Sequence, residues 1–224
     1  MNDDSIFREV DEAIRQDQVK ALWDKYGVFV LIGAVALVAG VAGYNAWHYW
    51  QARQAADAGA RFAGALQLED QGKAGEAKTA LDALAEKGPR GYRLLARFQL
   101  AAATAKSGDR EGAVNAYDAL ASDLSGEPLL RGYAVVEAAT LRLDQAGYQE
   151  MSDRLGALAE SDSPWRYSAR DLLGFSAYRN GKHKEAEDQF GRILSDTAAP
   201  LNMRRRAEMM MALLVKADAN AVKQ

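Results

Sequence analysis

The hydrophobic and polar positions divide the chain into a short charged segment, one apolar run and a long amphipathic remainder. The apolar run extends from Tyr26 to Ala52, a stretch of 27 residues without a formal charge. As a helix with a rise of roughly 1.5 Å per residue, its apolar part reaches about 30 Å, the hydrocarbon thickness of a bilayer. The aromatic residues that flank it are Trp23, Tyr26, Tyr44, Trp47, Tyr49 and Trp50. Aromatic residues at both ends are typical of membrane interfaces, so the pattern predicts a single transmembrane helix over residues 26–50.

Two other interpretations of the apolar run stay open. One is a cleaved signal peptide, which begins with a short basic segment, whereas residues 1–25 form a long acidic one. The nearest candidate cleavage site for a signal peptidase, the A-x-A sequence at 56–58, also lies well beyond the apolar core. A buried helix of a soluble domain would hardly need aromatic residues at both ends. Four lysines and arginines precede the run, and two, Arg53 and Arg61, lie in the 20 residues after it. This slight bias predicts a cytoplasmic segment 1–25 and a C-terminal domain outside, in the periplasm of a bacterium.

The remainder, residues 51–224, is rich in helix-forming residues and has an internal period. Its prolines recur at spacings of 39, 36 and 36, and a set of glycines recurs at 36, 39 and 34. The prolines are Pro89, Pro128, Pro164 and Pro200, and the glycines are Gly72, Gly108, Gly147 and Gly181. Glycine favours helix C-termini and proline favours helix starts, so the period predicts four stacked helix pairs and a closing helix from about Pro200 to Asp218. A plain helical bundle is the alternative.

The residues around these glycines resemble the tetratricopeptide repeat. The clearest unit has Leu173-Gly174, followed by Gly181, Ala186 and Phe190. The third unit is degenerate, because Ala146 aligns best with the turn position and Gly147 is one residue out of phase. The resemblance implies an all-α fold with an N-terminal transmembrane helix followed by a tetratricopeptide-like α-solenoid of about four pairs plus a capping helix. The positions that it assigns to repeat packing are Gly72, Ala77, Gly108, Ala113, Gly174, Gly181, Ala186 and Phe190.

In such arrays the first helix of each pair lines one continuous inner surface, which binds proteins. The resemblance implies the partner-binding groove residues Phe98, Lys106, Tyr133, Thr140, Phe175, Tyr178 and Arg179, although aromatic residues at helical spacing also pack into cores. A second candidate contact surface lies on the last helix, where three consecutive arginines could meet an acidic partner and three consecutive, flexible methionines could meet an apolar one. Its residues are Arg204, Arg205, Arg206, Met209, Met210 and Met211. The alternative there is a helix that only caps the array.

Composition argues against most catalytic chemistry. The chain has no cysteine and two histidines, His48 and His183, and both positions suit a structural role. No phosphate loop, serine elbow or metal-spaced acid cluster is present, so we expect a protein that is not an enzyme, with no cofactor, no metal and no small-molecule substrate. A net charge of -3 and a pI of about 5.5 argue against nucleic acid as a partner.

The whole order resembles one bacterial family. The chain begins with a short charged segment, and Trp23-Asp-Lys-Tyr-Gly27 opens the apolar span. Gly43-Tyr-x-x-Trp47 closes the span, and four degenerate repeats follow. This order is similar to that of the ancillary SecYEG translocon subunit family, the YfgM-like proteins. The resemblance implies an inner-membrane protein whose periplasmic repeats bind Sec translocon subunits, periplasmic chaperones or emerging exported clients. A repeat scaffold for envelope assembly or cell division is the alternative, because many scaffolds share such repeats.

Overall fold

The computed structural model describes the backbone of residues 3–221 and the side chains of residue 20 and residues 23–216. This part of the chain forms nine α-helices and no strand. The helices are α1 (Asp3–Asp70), α2 (Ala74–Lys87), α3 (Arg90–Lys106), α4 (Arg110–Asp123), α5 (Pro128–Arg142), α6 (Tyr148–Glu160), α7 (Arg166–Arg179), α8 (His183–Ser195) and α9 (Leu201–Ala221). They divide into two compact units, one that ends at Asp57 and one that begins at Ala58.

The first unit consists of α1 up to Asp57. Between Trp23 and Asp70 this helix has an 18-residue window with a mean hydropathy of 2.2, of which 6% is buried. A core helix of a soluble domain would hide most of this apolar surface, whereas the side chains here are exposed around the whole circumference. The helix therefore has the length and composition of a membrane span. The acidic segment 1–19 lies outside the described side chains.

The second unit is an all-α array of consecutive helix pairs, and this confirms the predicted fold class. The later pairs are α3 with α4, α5 with α6, and α7 with α8, and α9 closes the array against α8 and α7. In the first pair, Ala58 and Ala65 at the end of α1 share a hydrophobic core with Leu81 and Leu84 of α2. From α2 to α9, each helix packs against the next along the chain. Local contacts of this kind are how stacked repeats bury a continuous core.

Turn chemistry explains where most pairs begin and end. Gly72, Gly108 and Gly181 have φ angles of 77°, 97° and 69° in the turns within the first, second and fourth pairs. Residues with a Cβ rarely adopt this left-handed region, so glycine lets the chain reverse there. The third pair differs, because Gly147 has a φ of -68° and lies at the start of α6, while Ala146 is buried. The prolines stand at or just before the first residues of α3, α5, α7 and α9.

Small residues let the helices within a pair approach closely. Ala77, Ala113 and Ala186 lie in the second helices of their pairs and are at most 1% exposed. In the fourth pair, a Cβ added to Gly174 on α7 would lie 2.6 Å from Cζ of Phe190 on α8. The Phe190 side chain is fully buried and occupies the space that the glycine leaves.

Candidate functional site: the aromatic row on the first helices

Three aromatic side chains lie next to one another on the first helices of consecutive pairs. The ring centroid of Phe98 on α3 is 5.3 Å from that of Tyr133 on α5, and Tyr133 is 5.5 Å from Trp165, the residue that precedes α7. All three side chains are partly exposed. We call Phe98, Tyr133 and Trp165 the aromatic row. Partly exposed aromatic residues are the side chains that most often carry binding energy at protein interfaces.

The polypeptide holds Trp165 in place by a close contact and a hydrogen bond. Its indole Nε1 donates to the carbonyl oxygen of Leu129, 2.8 Å away in the first turn of α5. The ring lies against Gly132, where an added Cβ would be 2.4 Å from Trp165 Cδ1. The absence of a side chain at Gly132 therefore makes room for the third member of the aromatic row.

We expect Gly132→Ala to displace Trp165 and break its hydrogen bond to Leu129. The free energy of unfolding should fall by roughly 1 to 2 kcal/mol, because the partly exposed ring can move outward and relieve part of the clash. Urea titration of the full chain in detergent, followed by tryptophan fluorescence, would measure both effects. Gly91→Ala is the matched control, since a Cβ there meets nothing within 4 Å. An equal response of the two variants would contradict this account of the tryptophan site.

A carboxylate accompanies the aromatic row. Glu137 follows Tyr133 by one helical turn on α5, and its surroundings include the buried Tyr117 of α4. Burial raises the pKa of Glu137, while a hydrogen bond from the Tyr133 hydroxyl opposes that rise. Burial, with a further contribution from the charge of Glu137, raises the pKa of Tyr117 to about 12. Burial also raises the pKa of Tyr133, so both tyrosines are uncharged at neutral pH.

The predicted groove residues fall into separate environments. Phe98 and Tyr133 meet in the aromatic row, and Lys106 is exposed in the last turn of α3. Thr140 is exposed on α5, where its hydroxyl donates to the carbonyl oxygen of Val136, 2.8 Å away. Helix spacing places Tyr133, Glu137 and Thr140 on one face of α5.

The other three predicted groove residues lie on α7. The Phe175 ring packs edge-on against Phe190 at 5.6 Å between centroids, and Tyr178 stacks on His183 at 6.0 Å. Phe175 and Tyr178 are partly buried against the core of the fourth pair. The Arg179 guanidinium donates to the carbonyl oxygens of Asp144 and Ala146. Arg179 thereby ties α7 to the turn between α5 and α6.

The candidate contact residues of the last helix divide between core and surface. Met210 is 7% exposed and belongs to the core of the fourth pair, Met211 packs against that core, and Met209 is 62% exposed. Arg205 is exposed, and Arg204 is partly buried.

Arg206 is held within the array. Its Nη1 lies 2.7 Å from Oδ2 of Asp171 on α7, whose side chain is 4% exposed. Burial raises the pKa of Asp171, and the charge of Arg206 opposes that rise. Arg206 thus compensates a charge that α7 would otherwise bury alone.

A cleft of about 640 Å³ opens between α5 and α6. Its lining is largely apolar and includes Leu129, Val135 and Leu158, with Arg154 at its wall. The two terminal nitrogens of Arg154 bind the carboxylate of Asp118 on α4. Within the described residues no group of three His, Cys, Asp or Glu side chains is placed to hold a metal ion. The cleft therefore offers a mostly apolar surface to a ligand or partner.

Sequence reasoning missed Trp165, Glu137 and Asp171. Trp165 lies one residue after the proline that marks the fourth pair, and Glu137 lies one helical turn after a predicted groove residue. Helix spacing alone could have pointed to Glu137. Asp171 needed the position of α9, which no local pattern supplies.

Comparison with known proteins identifies the fold family. The model of the family described as Tetratricopeptide repeat-like domain matches residues 20–212, which is most of the chain and includes the apolar helix. No curated protein and no solved structure gives a significant match. Repeats of this family typically serve as non-enzymatic scaffolds that bind proteins. The chain belongs to the Tetratricopeptide repeat-like domain family.

Proposed function

We propose that the chain is a membrane-anchored scaffold that binds protein segments on the first helices of its repeats. The aromatic row is the observation that carries this proposal, because it places three partly exposed rings across consecutive pairs. An extended or helical segment of a partner lying across α3, α5 and α7 would bury all three rings together. The exposed Lys106 and Thr140 would form the polar rim around that contact.

The proposed partners are subunits of the Sec translocon, periplasmic chaperones and exported proteins as they emerge. The resemblance to the YfgM-like ancillary SecYEG subunits, carried by the residues that flank the apolar helix, supports this choice. We propose that residues 26–50 span the inner membrane, that residues 1–25 are cytoplasmic and that the repeat domain is periplasmic. Tethering would confine the aromatic row near the translocon exit and raise its effective concentration for emerging clients.

We expect a reporter that is active only in the periplasm to be active when fused after Gln224. A reporter that is active only in the cytoplasm should be silent at the same position, because the charge bias favours export of the repeat domain. The chain should also stay in the membrane fraction after alkaline extraction and leave it when residues 26–50 are deleted. Activity of the cytoplasmic reporter instead would remove the periplasmic partners from the proposal.

We expect Tyr133→Ala to weaken partner binding by tenfold or more, since truncation of an aromatic anchor commonly costs about 2 kcal/mol. A photoreactive residue at Thr140, on the same face of α5, should crosslink to translocon subunits or exported chains in living cells. Glu86 is a control position, because it is exposed on α2, outside the first helices. Crosslinks from Thr140 to division proteins would favour the envelope-assembly alternative, and equal crosslinking from both positions would contradict a binding site on the first helices.

Loss of partner binding must be separated from loss of folding. Lys106→Glu and Thr140→Arg change exposed side chains and leave the core intact, so their helical circular dichroism should match that of the natural chain. The contrary outcome is that Lys106→Glu and Thr140→Arg bind partners normally while Tyr133→Ala loses binding only because it unfolds. In that case the aromatic row is part of the core, and the proposed binding surface is wrong.

A further inference from the structure

Glu137 lies in an unusual environment for a carboxylate. It lies one helical turn after Tyr133 on α5, and it is near enough to Tyr117 on α4 for its charge to raise the pKa of that tyrosine. The centroid of Phe98 is 5.3 Å from that of Tyr133 and 6.3 Å from that of Tyr117. Three aromatic rings from three helices thus lie close to one another, and Glu137 interacts with two of them, Tyr117 and Tyr133. Tyr117 is 3% exposed and forms the inner wall, while Phe98 and Tyr133 are accessible at the rim.

No lysine or arginine among the described side chains forms an ion pair with Glu137. Two other acids in neighbouring helices do have such partners, since Glu150 pairs with Arg142 and Asp118 pairs with Arg154. Burial raises the pKa of Glu137, and a hydrogen bond from the Tyr133 hydroxyl lowers it. One neutral donor leaves most of the acceptor capacity of a carboxylate unused.

The physical chemistry of this cluster favours a cationic ligand. Partial burial disfavours the charged form of Glu137 and raises its pKa, so a cation that pairs with the carboxylate would recover part of the lost solvation. Ammonium and guanidinium groups are also attracted to the faces of aromatic rings. An apolar ligand would cover Glu137 and desolvate it further without compensation, and an anionic ligand would repel it.

We propose that Glu137, with the rings of Phe98, Tyr117 and Tyr133, forms a receptor for a lysine or arginine side chain that a partner protein presents. The basic side chain would enter between the accessible rings of Phe98 and Tyr133 and donate to the Glu137 carboxylate. This inference rests on the proposed protein-binding function and assigns the chemistry of the contact. Partners that bind here carry a basic residue next to apolar ones, because the aromatic row continues from Tyr133 to Trp165.

Selection from a random library of phage-displayed peptides tests the proposal on the full chain. The chain is reconstituted in phosphatidylcholine nanodiscs, which carry no net lipid charge, and empty nanodiscs remove peptides that bind lipid. We expect the natural chain to select peptides enriched in lysine and arginine. Glu137→Gln should weaken a selected peptide roughly tenfold, as expected for loss of a charged hydrogen bond. Glu137→Lys should shift the selection toward aspartate and glutamate.

Two controls separate a local effect from a general one. Glu86→Gln removes an equal charge from an exposed position on α2 and should leave peptide affinity unchanged. Replacing the basic residue of a selected peptide with norleucine should weaken binding to the natural chain but have little effect on binding to Glu137→Gln. The peptide substitution measures the same contact without altering the protein, so it stands even if a protein variant folds poorly.

The outcomes distinguish this inference from the proposed function. If the natural chain selects peptides without basic enrichment, or if Glu137→Gln retains that enrichment, the receptor is wrong while the binding surface remains. If the natural chain selects no peptide, the receptor is likewise overturned. If, in addition, Tyr133→Ala leaves partner binding in cells unchanged, the proposed binding surface fails as well.

Discussion

Arg206→Ala is expected to lower the free energy of unfolding by roughly 3 kcal/mol, because it leaves the Asp171 carboxylate buried without a compensating charge. The Asp171 side chain is 4% exposed, and its Oδ1 has no hydrogen-bond partner, so Arg206 provides its only described ion pair. We place the effect at the low end of the range for buried pairs, since the Arg206 side chain is 43% exposed. Thermal unfolding of the full chain in detergent should show a midpoint lowered by about 10 °C.

Arg205→Ala is the matched control for this prediction. Arg205 is the exposed neighbour of Arg206 on α9 and forms no ion pair with any side chain that the structure describes. Its removal should change stability by less than about 0.5 kcal/mol. The double variant Asp171→Asn with Arg206→Ala should regain most of the lost stability, because it removes the buried charge as well as its partner. Equal effects of the two single arginine variants would show that the ion pair contributes nothing.

The defect of Arg206→Ala should also depend on pH. Burial raises the pKa of Asp171 above its ordinary value of 3.8, and removing Arg206 takes away the attraction that opposes the rise. A carboxyl whose pKa is raised on folding favours the folded state at low pH and loses this contribution as pH rises through its folded pKa. The stability deficit of Arg206→Ala should therefore be full at neutral pH and shrink on acidification, whereas Arg205→Ala should show no such recovery.

The pair Asp171–Arg206 belongs to a regular pattern of contacts one repeat apart. The partners are separated by 35 residues, and most other polar links between repeats span similar intervals. These links are Arg90–Glu127, Arg110–Asp144, Arg154–Asp118, Arg179–Asp144 and Arg192–Glu160, at separations of 32 to 37 residues. Exposed ion pairs add little stability individually, so the set is better understood as fixing how successive pairs align.

This pattern explains how much the sequence could predict. Proline and glycine act on their own backbone, so the helix pairs, their turns and the closing helix followed from local chemistry at Pro89, Gly72 and their equivalents. The contacts of Glu137 and Asp171 depend on which face of one helix meets another, and the period alone does not determine this.

The third pair marks where the repeat pattern gives the least information. Its turn lacks a glycine with a positive φ, because Ala146 occupies the turn and Gly147, the residue before α6, has a φ of -68°. The same pair contains the apolar cleft between α5 and α6 and supplies the glycine under Trp165. The pair whose turn differs from the tetratricopeptide pattern is thus the same pair that carries Tyr133 and Glu137. A repeat that serves only packing would be free to keep its consensus residues.

Gly174→Ala is expected to destabilise the fold by roughly 2 to 3 kcal/mol, although alanine is the better helix former. The added Cβ would lie 2.6 Å from Phe190 Cζ, well inside van der Waals contact. Phe190 cannot easily move away, because it is fully buried and Phe175 packs edge-on against it at 5.6 Å. Gly156→Ala on α6 is the matched control, since a Cβ there meets nothing within 4 Å. The control should gain about 0.5 to 1 kcal/mol from helix propensity.

The two glycine variants should therefore differ by about 3 kcal/mol in urea titrations, with opposite signs relative to the natural chain. Phe190→Leu provides the decisive further step, because a shorter side chain vacates the space that the new Cβ needs. Alone it should cost roughly 1 to 2 kcal/mol in lost burial and packing. Combined with Gly174→Ala it should cost clearly less than the sum of the two single variants, because neighbouring residues that share one space are coupled. If the losses of the two single variants add, Gly174 and Phe190 do not compete for the same volume. If Gly174→Ala alone stabilises the fold, α7 and α8 are less closely packed than the structure has them.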